Sequence, residues 1–104
     1  MGILALKAAF VFIAPGADYR KDRTVVKSGD VELHVVGVQS YEEGAKVAEE
    51  LVRDGISCIE LCGGFGNEGV AIMSKAVKGS ARVGVVRFDI HPGLEGKSGD
   101  DIFL

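Results

Sequence analysis

The sequence predicts a small α/β domain with three layers, in which helices cover a mostly parallel sheet of four strands. Four apolar runs of strand length alternate with helical patterns, and most connections between them are a few residues long. Most of the runs are nearly continuous in apolar residues, as is typical of strands buried on both faces. Strands that alternate with helices imply right-handed crossovers and a parallel sheet. A ferredoxin-like α+β fold is the alternative, because the link between the first two strands is not clearly helical.

The composition fits one globular domain over residues 1–104. Apolar residues make up 47% of the chain, which is enough for a core, and the 26% of charged residues are interspersed along it. The formal net charge of −3 comes without any run of basic residues, which argues against a nucleic-acid partner. No apolar run approaches the ~18 residues that a membrane span needs. Two cysteines without a signal peptide indicate the cytoplasm.

The first half of the chain is expected to supply two strands, "LKAAFVFI" and "VELHVVGV". Between them, residues 18–27 could form a short helix capped by Asp18, although the apolar stripe there is weak. We expect the second strand at an edge of the sheet, since it carries Glu32 and His34 on one face. His34 is therefore interpreted as a surface or interface residue.

Two helices and two further strands follow. In "SYEEGAKVAEELVRDG", Ser40 and Glu43 have the spacing of a capping box, and Gly55 marks the end of the helix. The third strand is "ISCIELC", a second helix runs from about Asn67 to Lys78, and the fourth strand is "RVGVVRF". The expected order places the first strand beside the third and the third beside the fourth. Residues 92–104 are expected to form a tail that docks on the domain.

A functional site is expected at the carboxyl edge of the sheet, where ligands bind in open α/β folds. The segments "APGAD", "CGGFGNEG" and "RFDIHPG" should meet there. In the second segment, Gly63, Gly64 and Gly66 allow successive N–H groups to point into one concavity, beside the positive end of the following helix. Such a loop suits a small anionic ligand, a phosphate or a carboxylate. A tight turn whose glycines only permit close packing is the alternative.

Cys62 ends the third strand just before a helix, the position that a nucleophile occupies in a nucleophile elbow. Asp89 and His91 leave the fourth strand on a shared face, so His91 could act as the base and Asp89 as the acid that orients it. Backbone N–H groups of the glycine loop would then stabilise an oxyanion. The alternative is that Cys62 is a small buried hydrophobic residue. We expect no metal site, since no second histidine is placed to help hold an ion.

Glu60 and Arg87 each lie two residues before the expected end of a strand, in neighbouring strands, so they should lie at the same height. A carboxylate inside a sheet that is covered on both faces needs a partner, and a guanidinium can bind it through two parallel hydrogen bonds. The pair is expected either as a buried ion pair or as a clamp for a ligand.

Three segments, "KAAFVFIAPGAD", "IELCGGFGNEG" and "VGVVRFDIHPGLEGKSGDDIF", resemble a family of short bacterial proteins, the domain of unknown function 6506. The likeness covers nearly the whole chain. It implies a small α/β domain, with no activity or cofactor to carry over. The positions that match the shared motifs are Cys62, Gly63, Gly64, Phe65 and Gly66 in one loop, and Arg87, Phe88, His91, Pro92 and Gly93 in the other.

Three functions remain open from the sequence. The first is binding of a small molecule or anion by "CGGFG" and "RFDIHPG", with Glu60, Phe65 and Arg87 among the contacts. The second is a cysteine-dependent hydrolase or transferase that uses Cys62 and His91. The third is a homo-oligomeric assembly module in which the apolar "DIFL" is buried on a neighbouring copy. The sequence identifies no cofactor and does not decide whether the protein is an enzyme.

Overall fold

A computed structural model of the chain describes residues 5–104, so residues 1–4 of the predicted domain lie outside the described residues. Five strands form one sheet, and three helices accompany it. The strands are β1 (Leu6–Ile13), β2 (Arg23–Ser28), β3 (Val31–Val38), β4 (Cys58–Leu61) and β5 (Arg82–Val85), and the helices are α1 (Tyr41–Arg53), α2 (Asn67–Val77) and α3 (Gly99–Phe103).

The strand order of the sheet is β2-β3-β1-β4-β5. β1 pairs in parallel with both β3 and β4, β4 pairs in parallel with β5, and β2 is antiparallel to β3. The predicted α/β class and the mostly parallel sheet are confirmed, with five strands rather than four. The neighbours predicted for the first, third and fourth apolar runs, now β1, β4 and β5, are also those observed.

The helix expected over residues 18–27 is wrong, because a turn and β2 occupy that stretch. Residues 24–26 are all β-branched, and such side chains fit a strand better than a helix. Gly29, with a φ of +59°, lies in the two-residue loop that joins β2 to β3 as a hairpin. Asp18 caps only a turn, its Oδ1 accepting the N–H of Arg20 at 2.9 Å. Since β2 pairs with β3, the predicted edge position of β3 is also wrong.

The two long helices begin and end close to the predicted residues. Ser40 caps α1, its Oγ accepting the N–H of Glu43 at 3.1 Å, and Gly55 follows the helix with a φ of +92°. α2 begins at Asn67 after Gly66, which has no side chain to act as a cap. The first N–H groups of α2 therefore need acceptors from elsewhere. Within residues 5–104, no helix is long and apolar enough to cross a membrane.

α1 and α2 lie on the same face of the sheet. The connections β3–α1–β4 and β4–α2–β5 cross the sheet in one direction, and right-handed crossovers in one direction place both helices on one side. The helices pack against each other and enclose the core with the strand residues that face them. Those strand residues include Ala9, Val11, Val36, Ile59 and Leu61, each 0% exposed. The described chain therefore has two layers rather than three.

The opposite face of the sheet, called the open face below, is not covered by any helix or strand of residues 5–104. Its side chains alternate along the strands with those of the core, and most are half-buried or exposed. Gly37 of β3 leaves room on this face for the ring of Phe12, which a Cβ at that position would overlap. The open face consists of Leu6, Ala8, Phe10, Phe12, Thr24, Val26, Ser28, Val31, Leu33, Val35, Gly37, Cys58, Glu60, Arg82 and Gly84.

His34 belongs to a charged cluster on the face of the sheet that carries α1 and α2. Its Nε2 lies 2.7 Å from Oε2 of Glu32, and its side chain is 18% exposed. The hydrogen bond from His34, together with the nearby ammonium groups of Lys7 and Lys27, lowers the pKa of Glu32 below its ordinary value of 4.5. His34 is thus half-buried and engaged with a residue of its own chain, and its interpretation as a surface or interface residue stays a prediction.

Candidate functional site

The glycine loop, residues 62–66, joins β4 to α2 at the carboxyl edge of the sheet. None of its glycines has a positive φ. They permit close packing instead: a Cβ at Gly63 would overlap the ring of Phe88, and a Cβ at Gly66 would overlap the carboxylate of Asp100. The close-packing alternative therefore accounts for these glycines without any left-handed conformation.

The N–H groups at the start of α2 bind the carboxylate of Asp100, which comes from α3. Its Oδ2 accepts the N–H of Glu68 at 3.0 Å, and its Oδ1 accepts the N–H of Gly69 at 3.3 Å. Unpaired N–H groups and the helix dipole favour an anion at such a position. The start of α2 thus holds an anion that belongs to the same chain.

Tyr41, the first residue of α1, connects Asp100 to the glycine loop. Its hydroxyl donates to Oδ1 of Asp100 at 2.9 Å and accepts the N–H of Gly66 at 3.0 Å. The ring is 3% exposed and stacks on Phe65, with centroids 5.7 Å apart. Burial of the phenol and the neighbouring Asp100 carboxylate raise the pKa of Tyr41 well above its ordinary value of 10.0. Phe65 is itself 3% exposed, so this predicted ligand contact lies in the core.

Sequence reasoning missed both Asp100 and Tyr41, although two signals pointed to Asp100. Gly66 offers no capping side chain to α2, so an acceptor had to come from another segment. Residues 98–101 also have capping-box spacing: Ser98 Oγ accepts the N–H of Asp100 at 3.0 Å, and Asp101 Oδ2 accepts the N–H of Ser98 at 3.2 Å. That spacing indicates the start of a helix within the tail, which holds Asp100 in place.

Cys62 lies at the start of the glycine loop and is half-buried. Its Sγ accepts the N–H of Ile13 at 3.4 Å and the N–H of Gly64 at 3.3 Å. Both donors are backbone groups, one from the end of β1 and one from the loop itself. The sulfur is therefore held in one orientation by two hydrogen bonds.

Asp89 and His91 are engaged in separate contacts. Oδ1 of Asp89 lies 2.9 Å from both Nε and Nη2 of Arg87. Nδ1 of His91 accepts the N–H of Gly93 at 2.9 Å, and the imidazole packs on Phe88 with ring centroids 4.7 Å apart. Among residues 5–104, no hydrogen bond links Asp89 to His91 or His91 to Cys62, and no three potential metal ligands cluster.

The ion pair expected between Glu60 and Arg87 does not form. Glu60 lies on the open face and is exposed, so its carboxylate stays in water and needs no buried partner. Arg87, past the end of β5, binds Asp89 and donates from Nη1 to Oδ1 of Asn67 at 3.0 Å. The prediction of a buried pair depended on a sheet covered on both faces, and helices cover only one.

A cavity of about 570 Å³ opens at the end of β1, where the sequence predicted that "APGAD" would contribute to a site. Phe12 and Val35 of the open face form part of its wall, and the other lining residues are 14–17 and 22–24. The charged groups among them are Asp22 and Arg23. Sequence reasoning did not anticipate Arg23, because it assigned that residue to a helix.

These features define a small α/β domain whose mostly parallel sheet is covered by helices on one face. Residues 6–101 match the family of unknown function DUF6506, and the chain belongs to that family. No curated protein and no solved structure matches the chain.

Proposed function

We propose that the protein binds a small molecule with an apolar body and one anionic group, in the cavity at the end of β1. The observation that carries the proposal is the cavity, since about 570 Å³ lies within the range of about 300–1,000 Å³ that is usual for small-molecule sites. The cavity lies at the carboxyl end of a parallel strand, where ligands bind in open α/β folds.

The residues that line the cavity suit both the apolar body and the anionic group of such a ligand. Phe12 and Val35 offer apolar surface for the body of the molecule. Arg23 donates from Nη1 to the carbonyl of Tyr19 at 3.3 Å and forms no ion pair with the described residues. A guanidinium with free N–H groups binds a carboxylate or phosphate, often through two parallel hydrogen bonds. Arg23 pairs with Val36, so its side chain leaves the strand on the face opposite Phe12 and Val35, and we assign it to the anionic group at the rim of the cavity.

The glycine loop, with Gly63, Gly64 and Arg87 as contacts, is the alternative location for the anion. The Asp100 carboxylate already accepts N–H groups at the start of α2. A group tethered in the same chain has a high effective concentration, so an external anion would compete poorly with it. This competition favours the cavity.

Titration with the fluorescent probe anilinonaphthalene sulfonate, which combines apolar rings with one anionic group, tests the proposal. Arg23→Gln should weaken binding about ten-fold, since a hydrogen bond to a charged group contributes about 1.5–3 kcal/mol. Arg20→Gln is the matched control, because Arg20 is exposed, lies over the ring of Tyr19 and does not line the cavity. Equal binding by all three proteins contradicts the assignment. Tighter binding by Asp100→Asn, with no effect of Arg23→Gln, moves the site to the glycine loop.

Cysteine-dependent chemistry is the second candidate, favoured by the two N–H groups that orient Sγ of Cys62. In this mechanism Sγ of Cys62 attacks an acyl carbon, and His91 takes the thiol proton and passes it to the alcohol or amine that leaves. The acyl group stays on sulfur as a thioester until water or another nucleophile removes it. His91 must leave the N–H of Gly93 to take part. Cys58 is an internal control, since it is also a half-buried free thiol. Alkylation by iodoacetamide at neutral pH should be faster for Cys62 in the Cys58→Ser variant than for Cys58 in the Cys62→Ser variant. Equal rates would remove the support for a nucleophile.

The free thiols also support a location in the bacterial cytoplasm, which we propose as the compartment.

A further inference from the structure

The open face presents apolar side chains that the described chain leaves uncovered. Val26 is 53% exposed and Leu6 is 37% exposed, and Phe10, Leu33 and Val35 are half-buried. The exposed apolar residues are not confined to one edge of the sheet, since they continue across the three adjacent strands β2, β3 and β1. A contiguous apolar surface of this kind is typical of an interface.

The size of the open face fits a small dimer interface. Strands spaced ~4.8 Å apart and residues rising ~3.3 Å give a face of about 500 Å² for this sheet. Two such faces in contact would bury about 1,000 Å² in total, at the lower limit for a specific interface. A second copy presents a sheet with the same twist and buries the face without a new element.

The charged strand residues of the open face are self-complementary. Glu60 and Arg82 are the two charged side chains among its strand positions, and neither forms an ion pair within residues 5–104. Glu60 lies beside Phe10 of β1, whereas Arg82 lies beside Cys58, which pairs with Ala8. The two charges are thus two residues apart along the strand direction and lie on adjacent strands.

A two-fold axis between two facing sheets, perpendicular to the strands at the level of Ala9, exchanges these two heights. It brings Glu60 of one copy to the height of the partner's Arg82, one strand spacing of ~4.8 Å to the side and within reach of the long arginine side chain, and the reverse pair forms by symmetry. Ala9 is close to the middle of β1 (Leu6–Ile13), so the same axis centres the apolar part of the open face on its counterpart. The same two-fold axis therefore pairs the charged side chains and buries the apolar ones.

We propose that the open face packs against the open face of a second copy about this two-fold axis. The contact buries the apolar side chains of β1, β2 and β3 and forms two ion pairs between Glu60 and the partner's Arg82. Sheets that pack face to face in this way lie about 10 Å apart with their strands nearly aligned.

Sedimentation velocity over a wide concentration range tests the apolar part of the contact. Val26→Lys should raise the dissociation constant of the dimer about ten-fold or more, because it buries a charge without a partner. Val25→Lys is the matched control, since Val25 is 44% exposed but points to the opposite face. Circular dichroism checks that both variants fold. A wild-type protein that stays monomeric at every concentration overturns the proposal, as do two lysine variants that behave alike.

Charge reversal tests the symmetry. Glu60→Arg and Arg82→Glu should each weaken the dimer about ten-fold, because each places like charges opposite each other. The double variant Glu60→Arg/Arg82→Glu should restore the wild-type dissociation constant, since both pairs are re-formed with reversed signs. A double variant that is as weak as the single variants rules out the proposed axis.

Discussion

At the scale of single residues, the carboxylate of Asp100 takes the part that a capping side chain plays at most helix starts. α2 follows a glycine and has no local cap. Asp100 accepts two of its N–H groups and also the hydroxyl of Tyr41, which in turn accepts the N–H of Gly66. One side chain therefore links α1, α2, α3 and the glycine loop, and its loss should weaken the packing of all four segments.

Asp100→Ala should lower the free energy of unfolding by about 1–3 kcal/mol, because it leaves donors at the start of α2 without an acceptor. Asp101→Ala is the matched control on the next residue. Within residues 5–104 its carboxylate accepts only the N–H of Ser98, so the expected loss is about 1 kcal/mol or less. Urea unfolding followed by circular dichroism measures both. Equal losses would mean that Asp100 has no special part in the stability of the domain.

Tyr41 should make the protein sensitive to alkali. Its pKa is raised by burial and by Asp100, so above about pH 10 the unfolded chain releases a proton that the folded chain retains. Stability should therefore fall as the pH rises through this range. The decline should be weaker in Tyr41→Phe, although that variant starts from a lower stability at neutral pH because the N–H of Gly66 loses its acceptor. Thermal unfolding measured from neutral to alkaline pH checks the slope, and parallel slopes for the two proteins would contradict it.

At the scale of elements, the sequence predicted those helices and strands that local residue patterns are enough to specify. The cap at Ser40 and the apolar stripe were enough to predict α1, and the near-continuous apolar runs were enough for β1, β4 and β5. β2 was missed because it lies at an edge with every residue exposed, so it has no buried stripe to reveal its period. The number of layers was missed because an apolar run looks the same whether a helix or another molecule covers its second face.

The same limit applies to the candidate site. The glycine loop was located from its sequence, since glycines between a strand and a helix are a local pattern. Asp100 and Arg23 were not, because each reaches its position through pairing or docking of distant segments. The contact between Glu60 and Arg87 was predicted from strand heights that are wrong, because Glu60 pairs with Gly84 and β5 ends at Val85, before Arg87 is reached.

Two strand glycines should respond to substitution in opposite directions. Gly37→Ala should destabilise the protein by about 1–3 kcal/mol, because its Cβ would overlap the ring of Phe12. Gly84→Ala should stabilise it by about 0.4–1 kcal/mol, because the unfolded chain loses freedom and, among the described residues, the nearest atom to the added Cβ is Cγ of Glu60 at 3.9 Å. Urea unfolding compares the two. A loss of stability at Gly84 as large as that at Gly37 would contradict the argument that the space beside each Cβ decides the sign of the effect.

At the scale of the whole molecule, the two proposed sites adjoin each other. The cavity shares Phe12 and Val35 with the open face, so a ligand in the cavity touches residues that belong to the proposed interface. Binding and self-association are then linked, and any effect of the ligand on the dimer implies an equal effect of the dimer on ligand affinity. The same sedimentation experiment, repeated with saturating anilinonaphthalene sulfonate, should show a changed dissociation constant for the wild-type protein.

The place of β1 in the sheet has a consequence for how the chain folds. β2 and β3 are joined by a two-residue loop and can pair within microseconds. β1, in contrast, must enter between β3 and β4, and both of these strands lie far from β1 along the chain. Contacts between distant segments form late, because the chain loses entropy before they are made. The insertion of β1 is therefore expected to be the slow step, and its amide protons should be among the last to gain protection from exchange with solvent.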